Sequence, residues 1–472
     1  MKRARLIFSA TIVAMLAGGA YAHLADAQRV DPRRPATLVV GSPAGAAPMQ
    51  RVDARRSGMS KQTLPSGRLR VAWRKMMGLS IDQPALAGSD GSLAVVTTRG
   101  DVIFLDDAGE ERGHATVAAG NVGPAAMTSD GTIVFTTGGG EAVGVKRLTA
   151  ATGASTATTI ARPRFTARIG GERNSRAAPL ALDDGGVVVA SATDLVVLDA
   201  EGNIRARTAL PESIAAPLLA SGDKVLAIGT SGAVFGWTPG REPSRLGSFG
   251  APIDGGAALA DATTLVAVIE TNHLVELDIA RGVRSTRAIA AQGLYLGPPS
   301  VRPGASGTSI ATVLAMIPSR GFVASVDSSG QEVLRAPIET RTPQTLPDGG
   351  TAPLVAPPHV GPLVDSRGTI AFAAMDGHVG IITPEGAVEI IGDQVCSRGA
   401  SRTAGLTPFG RGSFVVTCLD GGEVVRIVGP DAETTAKKPS SGGTLRPSSS
   451  AGKPATKPPA RPEEEEDDDG SP

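Results

Sequence analysis

A unit of about forty residues, built from short β-branched strands and Gly- or Asp-containing turns, recurs through most of the chain. Residues 82–110 show it: an apolar strand at 84–87, a Ser89-Asp90-Gly91 turn, a β-branched run at 93–98 and a third strand at 102–105. Gly supplies the positive φ that such turns need, and Asp hydrogen-bonds to its own backbone. The unit predicts an antiparallel meander, and a weaker fourth strand leads to the next copy.

Each copy opens at a proline or a small residue, which serves as its anchor. The anchors are Pro84, Pro124, Pro179, Pro217, Ala257, Pro298, Pro362 and Gly405. They are spaced by 40, 55, 38, 40, 41, 64 and 43 residues. The two long spacings contain insertions at 150–176 and 335–361, which we interpret either as binding loops on a rim or as surface decoration.

Repeats of this length and composition predict an all-β fold, a β-propeller of four-stranded antiparallel blades. A lone blade exposes two apolar faces, whereas a closed ring of blades buries both. We expect eight blades, or seven if the last copy shares a blade with the lead-in strand at 70–74. Aromatic residues make up only 3% of the chain, so the core must be built from Val, Leu, Ile and Ala.

The ends of the chain differ from the repeats. Residues 1–27 resemble an export signal, with a basic start, an apolar run at 6–20 and small-x-small cleavage sites ending at Ala22 and Ala27, of which we favour Ala27. A retained signal anchor is the alternative. Residues 28–64 are read as an extended lead-in, 65–431 as the propeller, and 432–472 as a disordered Pro/Ser/Lys tail ending in seven consecutive acids.

This organisation predicts a periplasmic or secreted protein with no transmembrane helix in the mature chain, since no other apolar run reaches the ~18 residues needed to span a bilayer. Cys396 and Cys418 are the two cysteines. In an exported protein they are expected to form one disulfide between neighbouring repeats, and two buried thiols are the alternative.

The repeats resemble the pyrroloquinoline-quinone-like family of β-propellers, whose third strands end near Leu-Asp-Ala-x-Thr-Gly. The matching stretches here are 104–109, 148–153 and 197–202, and the lead-in at 53–58 with Trp73 also looks like the start of such propellers. The family contains quinone-dependent dehydrogenases and non-enzymatic scaffolds, among them the propeller subunit of the outer-membrane β-barrel assembly machinery. This chain lacks the family's repeated docking Trp, the adjacent cysteines of the quinone enzymes and the lipid-bearing Cys of the assembly subunit.

No residues stand out as catalytic, cofactor-binding or metal-binding. The five histidines (His23, His114, His273, His359 and His378) lack a metal-ligand spacing, and His273 and His378 occupy equivalent positions before a third strand. Asp106-Asp107 and Asp183-Asp184 lie where turns favour Asp, Gly138-Gly139-Gly140 is no dinucleotide fingerprint, and Arg99-Gly100-Asp101 is expected to be a hairpin turn. Lys and Arg (46) balance Asp and Glu (46), so no nucleic-acid partner is expected.

The function predicted from sequence is that of a non-catalytic, exported binding scaffold. As a monomer without cofactor, it would recognise a protein or polymer through rim loops, with cell-envelope or outer-membrane protein assembly as a setting. The alternative is a divergent quinoprotein or another propeller enzyme with a site in the axial funnel. A sugar-binding module is a third possibility, although few aromatic residues are available to stack on sugar rings.

Overall fold

The structure is a computed structural model. It describes residues 47–117, 121–147, 161–171, 177–287, 294–304, 307–317, 320–338, 344–345, 351–352, 360–374, 377–391, 395–396, 403–419 and 421–435. The predicted signal segment with Ala27, the first part of the lead-in, the acidic tail, His23 and His359 lie outside the described residues.

Eight sheets radiate from one axis, and each contains a four-stranded antiparallel meander whose first strand is nearest the axis. The sheet of blade 7 has a fifth, parallel strand from the start of the chain. Two short strands precede the first complete blade: β1 (Met59–Ser60) and β2 (Arg70–Met76). Blade 1 contains β3 (Leu86–Ala87), β4 (Leu93–Val96), β5 (Asp101–Leu105) and β6 (Glu111–Thr116), and blade 2 contains β7 (Val122–Met127), β8 (Ile133–Thr137), β9 (Glu141–Arg147) and β10 (Ala161–Arg168). Blade 3 contains β11 (Leu180–Ala181), β12 (Val187–Ala190), β13 (Asp194–Leu198) and β14 (Ile204–Ala209), and blade 4 contains β15 (Leu219–Ser221), β16 (Lys224–Ile228), β17 (Ala233–Trp237) and β18 (Ser244–Ser248).

The second half of the ring continues in the same way. Blade 5 contains β19 (Ile253–Leu259), β20 (Thr264–Ile269), β21 (His273–Asp278) and β22 (Val283–Arg287), and blade 6 contains β23 (Leu294–Pro303), β24 (Ser309–Ile317), β25 (Arg320–Asp327) and β26 (Glu332–Ile338). A hairpin of β27 (Gln344–Thr345) and β28 (Thr351–Ala352) follows. Blade 7 contains β29 (Leu363–Asp365), β30 (Ile370–Ala373), β31 (Val379–Ile382) and β32 (Val388–Ile390), and blade 8 contains β33 (Thr403–Pro408), β34 (Ser413–Cys418) and β35 (Glu423–Val428). A 3₁₀ helix at Pro430–Thr435 follows.

The predicted all-β propeller with eight four-stranded blades is confirmed. Blade 8 takes its outermost strand from the start of the chain, because β2 pairs antiparallel with β35 from Arg70 opposite Val428 to Met76 opposite Glu423. The two ends of the repeat region therefore share one sheet. The shared blade completes the eighth sheet and does not reduce the number of blades to seven.

The core lies between blades and is aliphatic, as the low aromatic content predicts. Between blades 1 and 2, for example, Val96 and Phe104 cluster with Val122 and Phe135, all of them buried. Burial of this kind contributes about 25 cal/mol per Å² of apolar surface removed from water. Because each blade needs a neighbour on both faces, closing the ring satisfies all eight at once.

Outer strands dock on the next blade around the ring. Trp73 of β2 packs on the turn after β5: its Nε1 donates to the Asp107 carbonyl at 2.9 Å, and a Cβ at Gly109 would lie 2.7 Å from the indole. Gly109 has φ +80° and admits the ring because it has no side chain. Phe165 of β10 lies against Gly202 in the same way. Trp73 and Phe165 are thus two aromatic residues that dock an outer strand on the turn of the next blade.

The first predicted insertion contains a blade strand. Ala161–Arg168, which includes Arg162, Arg164 and Arg168, is the outermost strand of blade 2 and pairs with β9 across a bulge between Pro163 and Phe165. Arginine alternating along an exposed edge strand shows weaker apolar periodicity than a buried strand, which is why the sequence pattern missed this strand.

Cys396 and Cys418 form a disulfide. Cys396 follows blade 7 and Cys418 ends β34 of blade 8, so the bond ties the connection between the blades to the second strand of the last blade. Within the described residues, no helix is long and apolar enough to cross a membrane.

Candidate functional site

The inner strands of seven blades are edge strands whose free backbone groups face the axis, and in blade 7 the inner strand is paired with β1. The eight inner strands are β3, β7, β11, β15, β19, β23, β29 and β33. The anchors lie in or just before these strands, as predicted. Proline removes an N–H donor from the open edge, and small residues let the strands converge. At Gly405, a Cβ would approach that of Pro84 to 2.4 Å, which shows how closely blades 8 and 1 meet.

The end of the axis on the first-turn face (the face that carries the turns between first and second strands) is filled by residues 47–64, here called the axial plug. Its carbonyls accept backbone N–H groups from inner strands of six blades. The acceptors and donors are Ala47 with Ala87 (3.0 Å), Pro48 with Met127 (2.7 Å), Ala54 with Ala220 (2.9 Å), Arg55 with Leu259 (2.9 Å), Ser57 with Val301 (2.7 Å) and Gly58 with Val364 (3.0 Å).

The plug then continues to the remaining blades. Strand β1 pairs in parallel with β29 of blade 7, and the Thr63 carbonyl accepts the Gly412 N–H of blade 8 at 2.8 Å. Blade 3 is reached through the side chain of Arg56. The segment thus follows the ring and satisfies open-edge groups that would otherwise be unpaired.

Two buried arginines anchor the plug. Arg51 donates through Nη1 to the Pro362 carbonyl (2.8 Å) and through Nη2 to the Pro299 carbonyl (2.7 Å) and Ser300 Oγ (2.8 Å). Its side chain therefore bridges blades 6 and 7.

Arg56 bridges blades 3 and 4. Its Nε donates to the Leu218 carbonyl (2.8 Å), and its Nη2 donates to the carbonyls of Pro179 (2.6 Å) and Ala178 (3.2 Å). Nη1 donates to Gln50 within the plug at 2.7 Å. The residue is 1% exposed.

The charge of these arginines is held mainly by carbonyl dipoles. Burial lowers the pKa of Arg51 to about 10 and that of Arg56 to about 9, while the nearby Asp53 carboxylate acts in the opposite direction. Asp53 accepts the Ser57 N–H (3.1 Å) and hydroxyl (3.0 Å). Both guanidinium groups remain protonated near neutral pH and orient the carbonyl groups around them.

The plug is also conformationally strained. Arg51 (φ 63°), Val52 (φ 79°) and Arg56 (φ 53°) adopt left-handed backbone conformations, which are unusual for residues other than Gly and above all for β-branched Val. Such residues cost about 1–3 kcal/mol each and persist where surrounding contacts over-determine them. The hydrogen bonds to the ring are those contacts.

An open cleft of about 360 Å³ lies beside the plug on the first-turn face, next to Pro48 and between the turns of blades 1 and 2. Its charged side chains are paired: Arg147 with Asp90 (2.9 Å) and Lys146 with Asp130 (2.9 Å). Partial burial acts to raise the pKa of Asp130, but hydrogen bonds from Lys146, Thr128 and Thr132 together outweigh it and hold that pKa well below its ordinary value.

The described histidines that the sequence offers as possible metal ligands lie in separate blades. His273 begins β21 of blade 5 and His378 immediately precedes β31 of blade 7, so they are equivalent positions in separate blades. In the described part of the chain, no group of three or more His, Cys, Asp or Glu could hold a metal ion.

Two aspartates of the sequence motifs accept backbone N–H groups within turns. Asp106 accepts the N–H groups of Ala108 and Glu110, and Asp184 accepts that of Gly186. Asp101, in the Arg-Gly-Asp turn between β4 and β5, is buried. Thr97 and Thr116 donate to its carboxylate, and the His114 ring lies within 3.3 Å.

Arg51 and Arg56 were not identified from sequence. They lie in a segment without periodicity, and most of their partners are backbone carbonyls from blades more than a hundred residues away. The local sequence signal is the arginine-rich run from Pro48 to Gly58, which precedes the first clear strand.

Comparison with known proteins identifies the fold. No protein-family model matches the sequence, and no curated protein matches it. Solved structures with the same fold include BamB from Moraxella catarrhalis (TM-score 0.50, 16% identity, covering 76% of this chain and 98% of that one). Another is the quinohemoprotein alcohol dehydrogenase ADHIIG from Pseudomonas putida HK5 (TM-score 0.54, 12% identity, 88% and 83%). A third is the computationally designed protein Ika8 (TM-score 0.50, 15% identity, 74% and 99%). These similarities support the predicted β-propeller fold.

Proposed function

We propose that this protein is an exported, non-catalytic binding scaffold that recognises a protein or polymer partner through the loops of its faces and rim. The setting we favour is assembly in the cell envelope, with the protein periplasmic or secreted and monomeric. One observation carries the proposal: the chain's own lead-in occupies the axis at the first-turn face, where an enzyme of this architecture could gather polar groups around a substrate.

The chemistry at the axis supports a structural use of its polar groups. The guanidinium groups of Arg51 and Arg56 are bonded to strand carbonyls, and Asp53 is bonded within the plug. The exposed turns of both faces, in contrast, present polar groups to solvent. Binding through such turns requires no group at the axis.

The test is site-specific photo-crosslinking in the native envelope. A photoreactive residue would replace Arg99 on the face opposite the plug, Ser329 on the first-turn face, or Val283 on the circumference, all exposed positions. Light-dependent capture of one partner from one of these three positions, and not from the other two, is the expected result. It would also identify the surface that binds.

The second candidate is a quinone-dependent oxidoreductase, favoured by the structural similarity to the alcohol dehydrogenase from Pseudomonas putida. Purified protein would be incubated with pyrroloquinoline quinone, Ca²⁺, a dye acceptor and a panel of alcohols and sugars. Turnover that depends on the quinone would replace the scaffold proposal with this one.

A further inference from the structure

We propose that the axis contains two guanidinium-binding sites, which the chain fills with its own Arg51 and Arg56, so that the plug is bound as an internal ligand. The sites are the Arg51 cage (the carbonyls of Pro299 and Pro362 with Ser300 Oγ) and the Arg56 cage (the carbonyls of Ala178, Pro179, Leu218 and Gln50). Their ligand class is a monosubstituted guanidinium cation. The inference concerns the axis alone and holds whichever partner the faces bind.

Both cages are built mainly from carbonyls at the inner strands of two adjacent blades, blades 6 and 7 for Arg51 and blades 3 and 4 for Arg56. These carbonyls belong to or adjoin proline anchors on open strand edges, where backbone donors are scarce. The Gln50 carbonyl of the plug completes the Arg56 cage.

Two of the carbonyls have a second donor, since Ala178 also accepts the Leu218 N–H (3.2 Å) and Pro362 also accepts the Ser300 hydroxyl. The carbonyls of Pro179, Leu218 and Pro299 receive N–H groups from the guanidinium groups, and a cluster of buried carbonyls is best served by a donor with several N–H groups and a positive charge.

The shape of the cages fits a guanidinium group better than an ammonium group. Guanidinium is planar, with five N–H donors in a rigid fork, whereas a lysine ammonium is a compact and strongly hydrated charge. Arg56 uses all three of its nitrogens on four carbonyls, which lie between 2.6 and 3.2 Å away. Only a guanidinium can reach all four from one position.

Arg55 lies between Arg51 and Arg56 in sequence but is exposed, and only its backbone carbonyl is used by the ring. The three arginines of one short segment therefore divide into two bound in cages and one facing solvent. Arg55 is a matched control for the other two.

The experiment compares full-length Arg51→Ala, Arg56→Ala and Arg55→Ala by thermal unfolding, with millimolar methylguanidinium or methylammonium added. We expect the Tm to fall by roughly 5 °C for each cage variant, because the carbonyls lose their donors, and by less than about 1 °C for Arg55→Ala. Methylguanidinium should restore at least half of the loss saturably in the cage variants. It should do nothing favourable for Arg55→Ala or the unaltered protein, and methylammonium should restore nothing.

Equal responses of all three variants to the two cations would overturn the proposal, even if the cage variants are less stable. Should a cage variant be recovered only as aggregate, it would be refolded with each cation in turn. A soluble yield that rises with methylguanidinium alone supports the sites, and a yield that is the same with both cations contradicts them.

Discussion

At the scale of single residues, one buried ion pair connects two blades. Arg287, at the end of β22 in blade 5, donates through Nε to Glu276 at 2.8 Å, and its other nitrogens reach Val326 (3.0 Å) and Ser309 Oγ (2.6 Å) of blade 6. The Arg287 side chain is 1% exposed. An interaction this well enclosed is costly to break on one side only.

We predict that Arg287→Met destabilises the protein by about 3 kcal/mol, because it leaves the Glu276 carboxylate without its partner. The double variant Arg287→Met with Glu276→Met should recover most of that loss. Urea unfolding of the two single variants and the double variant measures the coupling. Strict additivity of the single effects would show that the pair does not interact energetically.

Asp130 provides a residue-scale prediction about pH. Its pKa is lower in the folded protein than in the unfolded chain, so its stabilising contribution is complete above about pH 4 and is lost as the pH falls through the folded pKa. Asp130→Asn should therefore be less stable than the unaltered protein at pH 7, and the two should converge on acidification below pH ~4.

The difference should narrow progressively as the pH falls from about 4 towards 2, so midpoints of urea unfolding are measured from pH 7 down to about pH 2. Glu110→Gln, which removes an exposed carboxylate on the same face, is the control and should track the unaltered protein throughout. A constant difference between Asp130→Asn and the unaltered protein at every pH would assign the effect to packing and not to charge.

At the scale of elements, the outermost strands of the blades repeat one device. In blades 1, 2, 3, 4, 6 and 8 the register between third and fourth strands shifts at a bulge. Bulges twist an edge away from straight pairing, and arginines such as the exposed Arg164 and the half-buried Arg205 add charge there. Both features protect open edges from pairing with other chains.

The disulfide acts on the element that follows blade 7. It closes a loop with a sequence separation of 22 residues, which corresponds to about 3 kcal/mol of lost unfolded-chain entropy. We expect a reducing agent to lower the Tm of the unaltered protein by several degrees. The double variant Cys396→Ser with Cys418→Ser should already have the lower Tm and should not respond to the reducing agent. If the reducing agent left the Tm of the unaltered protein unchanged, the disulfide would not contribute the predicted stability.

At the scale of the whole molecule, closure makes stability a shared property. The ring is joined once by β2 in blade 8 and again by the axial plug, which bonds to blades on every side of the axis. An open solenoid unfolds unit by unit because each repeat contacts only its neighbours. In the closed disc, loss of one blade exposes the faces of two others and releases part of the plug.

The two tryptophans test this cooperativity, because Trp73 reports on the junction of blades 8 and 1 and Trp237 on blade 4. Fluorescence of the Trp73→Phe variant reports Trp237 alone, and fluorescence of the Trp237→Phe variant reports Trp73 alone. We predict that, within each variant, the urea midpoint followed by fluorescence coincides with the midpoint followed by circular dichroism. Within either variant, separate fluorescence and circular-dichroism transitions would mean that the blades unfold independently.

The fold was predictable because its determinants are local and repeated. The spacing of the anchors, the Asp-Gly turns and the β-branched runs each specify a strand or a turn within a few residues, and eight phased copies leave a ring as the arrangement that covers all apolar faces. The arginine-bearing strand β10 was read as part of an insertion, since an exposed edge strand has little apolar pattern to detect.

The sequence alone therefore determined the blade, the phase of the repeat and the candidate cysteine pair. Only the tertiary structure revealed the axial plug and the partners of Arg51 and Arg56. The physical reason is that those partners are backbone carbonyls, which every residue possesses and no side-chain pattern marks. They become a binding site only when eight strand edges converge on one axis and leave their polar groups to be paired there.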